Sequence, residues 1–258
     1  MNTEDIQFSG HHGDRLSGTL HRVDEPRGSI LLAHCFTCSS DLRVNVRVAN
    51  RLAERGYHVL RFDFTGLGRS EGDFRDSTFR ANVGDLVRAA TWMIDDGVAP
   101  SGIAGHSLGG SAALIAAARI RTIASVAVMN APSSADHILN HISVEDQQTA
   151  EEEGCTQVEL AGRRFPISDE FLADLDAYDS EGSIGSLGLP IAVIHSTDDR
   201  VVPISEGERI FALAAQPKMF MPVIGGGHLL AGESAAHFAA DTMADWFDAT
   251  GAGAGDFG

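Results

Sequence analysis

The chain has 258 residues, 43% of them hydrophobic, which suits one large domain with a sizeable core. Its formal net charge of −17 argues against binding a phosphate backbone, so no nucleic-acid partner is expected. No run of about 18 apolar residues is present to span a membrane.

Met1 to Asp5 lacks the basic and apolar regions of a secretory signal, and the expected location is cytoplasmic. Basic residues are almost all arginine, with Lys218 the only lysine, a compositional bias rather than a functional signal.

In chain order, residues 5–10 and 15–23 alternate as an antiparallel hairpin around His11-His12-Gly13-Asp14. Ser29 to Ala33 is a continuous apolar run, the pattern of a strand covered on both faces. A helix is expected over 41–55, with Val44, Val48 and Leu52 on one face and Gly56 as its stop. A strand over 58–64 follows, then a helix over 79–96 carrying Val83, Leu86, Ala90 and Met93 at helical spacing.

Next comes a short apolar run into Gly105-His106-Ser107-Leu108-Gly109, and then the small residues Ser111 to Ala118. This is strand, sharp turn and helix. G-x-S-x-G in that setting marks a nucleophile elbow, which lifts a serine to the top of a sheet. Flanking glycines are needed because a side chain there would strike the neighbouring strand or helix. Ser107 is therefore the candidate nucleophile, the Leu108 N–H a candidate oxyanion donor, and His106 a candidate pocket residue.

Ser125 to Asn130 is the sixth strand. Periodicity then breaks over 132–188, a polar and acidic segment with a hairpin over 157–167 and a short helix over 168–175. An insertion of this size after a sheet strand reads as a lid, with Ile138, Phe165 and Phe171 as candidate lining of an apolar pocket. His137 and His141 stand four apart but lack a third ligand, so no metal is expected there. The sheet resumes over 190–196 and 218–224, with helices over 206–215 and 235–247. Strands alternating with helices imply a mainly parallel sheet covered on both faces. The core is thus 1–131 and 189–250, and the Gly/Ala-rich residues 251–258 are expected to be a disordered tail.

A serine hydroxyl needs a base, and the base needs an orienting carboxylate. Asp198 and Asp199 follow one strand, and His228 follows the last strand on a triple-glycine loop. Ends of parallel strands lie together, so the wide separation is no obstacle.

Three cysteines do not make a disulfide framework. The C-x-x-C spacing of Cys35 and Cys38 reads as a structural or pocket-lining pair, with reversible oxidation as the alternative.

The order Ser…Asp…His resembles the α/β-hydrolase fold. In that family the acid loop commonly reads D-x-x-V-P, matched by Asp199-Arg-Val-Val-Pro203, so the resemblance selects Asp199. His34-Cys-Phe-Thr is similar to the H-G-F-T loop of carboxylesterases, which implies the Phe36 N–H as second oxyanion donor and puts Cys35 at the usual glycine, beside the pocket. Asp63-x-x-Gly66-x-Gly68-x-Ser70 resembles a further recurrent loop of the fold.

Three segments, His34 to Ser39, Leu60 to Ser70, and Gly227 to Leu230, look like the hydrolase half of bacterial α/β-hydrolase–OsmC fusions, and also like cinnamoyl and feruloyl esterases. The OsmC half has no counterpart in these 258 residues. The resemblance implies a serine carboxylesterase acting on a small-molecule ester, without metal or cofactor, with Leu229 at the pocket. Thioester, amide or C–C hydrolysis by the same triad is the alternative, and a redox-linked binding protein the alternative of another class. Self-association is left open.

Overall fold

The computed structural model describes residues 2–160 and 162–253. An eight-stranded sheet runs in the order β1 (Asn2–Ser9), β2 (Arg15–Arg22), β4 (Tyr57–Phe62), β3 (Gly28–Ala33), β5 (Gly102–His106), β6 (Ser125–Met129), β9 (Ile191–Ser196), β10 (Lys218–Val223). β2 pairs antiparallel with both neighbours, and every other pairing is parallel. This is the α/β-hydrolase architecture.

The strand sequences explain the two-sided burial. In β3, Leu31 and Ala33 enter the core on one face, while Ile30 and Leu32 enter the core on the other. β6 divides in the same way, Val126 and Val128 against Ala127 and Met129. With period-2 side chains, a strand buried on both faces must be apolar throughout, as these runs are. α1 (Arg43–Glu54) and α8 (Glu233–Ala249) cover one face. α2 (Phe79–Asp95) and α3 (Leu108–Ala117) cover the other, with α7 (Ile204–Leu213) placing Ile210 beside them.

α2 begins where Thr78 Oγ1 accepts the Ala81 N–H at 3.1 Å. All ten residues of α3 are buried, so it lacks a polar stripe and consists of small and aliphatic residues that let it lie close to the sheet.

Between β6 and β9 the chain forms a short 3₁₀ segment (Ala135–His141), α4 (Val144–Glu153), the hairpin β7 (Cys155–Leu160) and β8 (Arg163–Ser168), α5 (Asp169–Asp176) and α6 (Ser180–Ser186). Only the hairpin and α5 are legible in the sequence. α4 has one buried residue, Ala150, and so no apolar stripe to read; α6 is Ser- and Gly-rich.

Residues 251–253, expected to be disordered, instead form a turn in which Ala252 is buried and its carbonyl accepts from Ser101 Oγ at 2.6 Å. Residues 254–258 lie outside the described residues. No described helix is long and apolar enough to cross a membrane.

Because the central strands are parallel, the loops after β3, β4, β5, β6, β9 and β10 gather at one sheet edge. The elbow is there. A Cβ on Gly109 would lie 2.0 Å from the His34 carbonyl oxygen, and one on Gly105 would lie 2.4 Å from that of Gly109. Both are backbone contacts that no rotamer can relieve. Gly109→Ala is expected to lower stability by about 3 kcal/mol, the upper end of overpacking costs. A urea midpoint equal to that of the unaltered protein would contradict this close approach.

Candidate active site

Ser107 sits between β5 and α3 with φ 55° and ψ −132°, a conformation that non-glycine residues rarely adopt. It is held there by packing on both sides and by its N–H, which donates to the Met129 carbonyl at 2.9 Å. The Leu108 N–H opens α3, where orphan backbone donors and the helix dipole favour a negative charge. Among the described residues neither the Leu108 nor the Phe36 N–H donates to another protein group. Both are left for an external acceptor.

His228 reaches the same edge from the loop after β10. Its Nδ1 lies 2.8 Å from Asp199 Oδ2. The other oxygen, Oδ1, accepts the N–H groups of Val201 at 2.8 Å and Val202 at 2.9 Å. Burial alone would raise the Asp199 carboxyl, but the His228 hydrogen bond and charge and these two amides outweigh it and hold it below the ordinary carboxylate range. An ionised Asp199 in turn fixes the proton of His228 on Nδ1 and leaves Nε2 free to accept one. Asp198 is set apart from this pair: its Oδ1 accepts the Gly227 N–H at 3.1 Å and so steadies the glycine loop.

The His228 carbonyl is held too. His106 Nε2 donates to it at 2.7 Å and Asn130 Nδ2 at 2.8 Å, while Asn130 Oδ1 accepts the Ser196 N–H at 2.7 Å. Asn130 was not legible as a site residue. Its signal is local: a lone Asn ending an apolar strand run, at φ 46°, where Asn is tolerated better than most residues. His106, expected in the pocket, is fully buried beneath His228 and acts on the loop behind it.

Ser107 and His228 both face a cavity of about 410 Å³. The loop after β3 contributes Cys35, Phe36, Thr37 and Cys38, and Val201 and Leu229 add apolar wall. The segment between β6 and β9 contributes Ile138, His141, Glu159 and Leu160. Of the expected pocket residues, Cys35, Ile138 and Leu229 are thus at the cavity.

Phe165 and Phe171 are not. They are buried in an aromatic stack, Phe171 on Phe36 at 5.1 Å and Phe165 on Phe74 at 4.8 Å, and they fasten the insertion to the loop carrying Phe36. Their place off the cavity corrects the sequence reading: Phe165 of β8 and Phe171 of α5 bury their rings against Phe74 and Phe36 instead of lining the cavity.

Cys35 and Cys38, read as a structural or pocket-lining pair, both line the cavity and are joined by a disulfide, while Cys155 is free. His137 and His141 both direct Nε2 to the Val201 carbonyl at 3.2 Å, which ties the insertion to the acid loop. Among the described residues no group of three or more His, Cys, Asp or Glu is placed to hold a metal ion.

Several histidines are buried and neutral. Burial, reinforced by the neighbouring His228, pushes His106 down to about 3; burial and Arg61 push His21 down to about 4. His34 is lowered by burial, its Nδ1 donating to the Cys35 carbonyl at 2.7 Å and its Nε2 accepting the Phe64 N–H at 3.2 Å. An unfolded chain protonates such rings near pH 6.5, well above the folded values for His106 and His21. Their contribution to stability is therefore complete above about pH 6.5 and falls below it, by about 1.4 kcal/mol per pH unit for each ring. Urea midpoints at pH 7.5 and 5.5 measure this; equal midpoints would show that these rings titrate normally.

The esterase domain of a Rhodothermus marinus protein is 31% identical to this chain, covers 96% of it and 98% of its own length, and superposes with a TM-score of 0.78. The chain belongs to the α/β-hydrolase superfamily. The profile of a family described as serine aminopeptidase, S33, matches residues 24–147 of this hydrolase. Est1E from Butyrivibrio proteoclasticus, solved with ferulic acid bound, shares the fold at 20% identity and a TM-score of 0.78, over 94% of this chain and all 100% of its own. The lysophosphatidylserine lipase ABHD12 of Danio rerio is 28% identical over 182 residues, 67% of this hydrolase but only 44% of ABHD12. The hydrolase therefore spans under half of that relative.

Proposed function

We propose that this hydrolase is a serine carboxylesterase acting on small to medium acyl or aryl esters through an acyl-enzyme. The observation that carries the reading is the 2.8 Å His228–Asp199 contact facing the same cavity as a serine on a strained elbow. Ser107 Oγ attacks the ester carbonyl while His228 Nε2 takes its proton. The oxyanion accepts the Phe36 and Leu108 N–H groups. The tetrahedral adduct then collapses, breaking the C–O bond, and His228 returns the proton to the departing alcohol. Water, deprotonated by the same ring, attacks the acyl-enzyme and releases the acid. Asp199 stays ionised and holds the ring in the working tautomer.

The cavity chemistry supports a neutral, apolar substrate. Ile138, Leu160, Val201 and Leu229 offer a hydrocarbon wall, Glu159 is a carboxylate at the cavity, and no Arg or Lys lines it among the described residues. An anionic headgroup such as that in the name of ABHD12 lacks a partner here. Residues 132–188 act in this reading as a lid, since four of the lining residues come from them.

Thioester, amide or C–C hydrolysis would use the same triad, and the serine aminopeptidase description of the matching family keeps amides on the test panel. The test is hydrolysis of p-nitrophenyl esters of increasing acyl length beside the matching thioesters and anilides. Turnover confined to esters, with an optimum chain length set by the cavity, is expected. Turnover of anilides or thioesters with none of esters would replace this reading.

A further inference from the structure

We propose that the Cys35–Cys38 disulfide is a redox-active site, reducible by a small dithiol, whose oxidised form holds the Phe36 N–H in its working position. The proposal rests on the esterase reading only for the consequence on turnover.

The pair closes a ring over Phe36 and Thr37. Within it the Cys38 N–H donates to the Cys35 carbonyl at 3.3 Å, which makes a β-turn with Thr37 at its third position. Thr37 has φ 62°. That position with positive φ is normally given to Gly or Asn, and for a β-branched residue it is a conformation disfavoured by its own side chain. Covalent closure is what keeps it there. The Cys35 carbonyl lies in the same planar peptide as the Phe36 N–H and accepts from both the Cys38 N–H and His34 Nδ1. Opening the ring frees the Thr37–Cys38 end, lets Thr37 relax to negative φ and withdraws the Cys38 N–H from the Cys35 carbonyl, so the peptide that carries the Phe36 N–H is left on its His34 hydrogen bond and is less firmly aimed.

A stabilising staple does not account for the bond. A ring of four residues restricts the unfolded chain less than any longer loop would, and the fold already has extensive cores on both faces of its sheet. Its position is also accessible. Both cysteines line the cavity; Cys35 is buried and Cys38 half-buried, so an incoming thiolate meets Cys38 Sγ first. That attack forms a mixed disulfide with Cys38 and releases Cys35 as a thiolate, which takes a proton. The second thiol of the reductant then closes on its own sulfur and releases Cys38. Two electrons and two protons pass to the protein, and the dithiol leaves as its disulfide. The reductant is thus any small dithiol able to enter the cavity mouth.

The experiment uses the Cys155→Ser chain, so that thiol counts report only the pair. It is treated with dithiothreitol without denaturant, desalted, and compared with the untreated form. Three measurements are taken: alkylation at Cys35 and Cys38 by mass spectrometry, hydrogen exchange of a peptide spanning 34–40, and kcat on the best p-nitrophenyl ester. Expected results are alkylation of both cysteines in the folded protein, faster exchange, and a kcat at least tenfold lower with a smaller change in KM. Reoxidation by glutathione disulfide restores all three.

The Cys35→Ser/Cys38→Ser variant should match the reduced form and ignore dithiol. If it fails to fold, Thr37→Asn serves instead, because Asn tolerates positive φ without the ring and the ratio of reduced to oxidised kcat should move toward one. A bond that resists dithiol until the protein is denatured overturns the proposal, and so does an unchanged kcat in an active, reduced enzyme. Faster exchange on reduction, with no ester turned over in either state, supports the redox site and sinks the esterase reading instead.

Discussion

Ser107→Ala is expected to lower kcat on the best ester by about a millionfold, the loss seen when a triad nucleophile is removed. The backbone at Ser107 is fixed by the flanking glycines and by its N–H to the Met129 carbonyl, neither of which depends on Oγ. Folding should survive, with an unaltered urea midpoint. The variant keeps the Phe36 and Leu108 donors and the cavity, so KM should move little and a residual rate above that of water should remain. Loss of that size with KM retained separates a nucleophile from a residue that only lines the pocket. Activity within tenfold of the unaltered enzyme would exclude Ser107 as the nucleophile.

Asp199→Asn is expected to cost about 10⁴ in kcat. The reason is the direction of one hydrogen bond. Oδ1 of Asp199 accepts two backbone N–H groups, from Val201 and Val202, and this demand keeps the carbonyl oxygen of an Asn on that side. The amide NH₂ then faces His228 Nδ1, which must become an acceptor, and the ring proton moves to Nε2. A ring protonated there cannot accept from Ser107. Asp198→Asn is the control, since among the described residues the one side-chain hydrogen bond of Asp198 is from the Gly227 N–H; it should cost less than tenfold. Equal losses in the two variants would leave the choice between the aspartates unsupported. The lowered pKa of Asp199 adds a pH signature: its charge persists below the ordinary carboxylate range, so the acid limb of the kcat profile should not come from this carboxyl.

The local order of the fold is legible because its physical causes are local. A strand covered on both faces must be apolar in both periods, as Ser29 to Ala33 and Ser125 to Met129 are. A tight strand-to-helix turn must carry Gly105 and Gly109, because no side chain fits against the His34 and Gly109 carbonyls. The candidates Ser107 and His228 could be picked out for the same reason, since each stands just beyond a strand and parallel strands bring such ends together; that placement left Asp198 and Asp199 as alternatives, and the resemblance of the acid loop chose Asp199.

What the tertiary structure decided lies in contacts between segments far apart in the chain. α4 carries no stripe, so only its packing reveals it. Phe165 and Phe171 satisfy a pocket wall or an aromatic stack equally well by type, and it is the position of Phe36 and Phe74 that makes them a stack. Asn130 carries a local signal as an Asn ending a strand, but the carbonyl it holds, 98 residues away, is named only by the assembled fold. C-x-x-C spacing suits a metal, a dithiol or a disulfide, and only the turn that closes on Cys35 and Cys38 selects among them. Composition and periodicity determined which surfaces had to be buried and which residues had to stand at turns. The partners of those surfaces depended on the assembled sheet, because side-chain complementarity exists only once the segments meet.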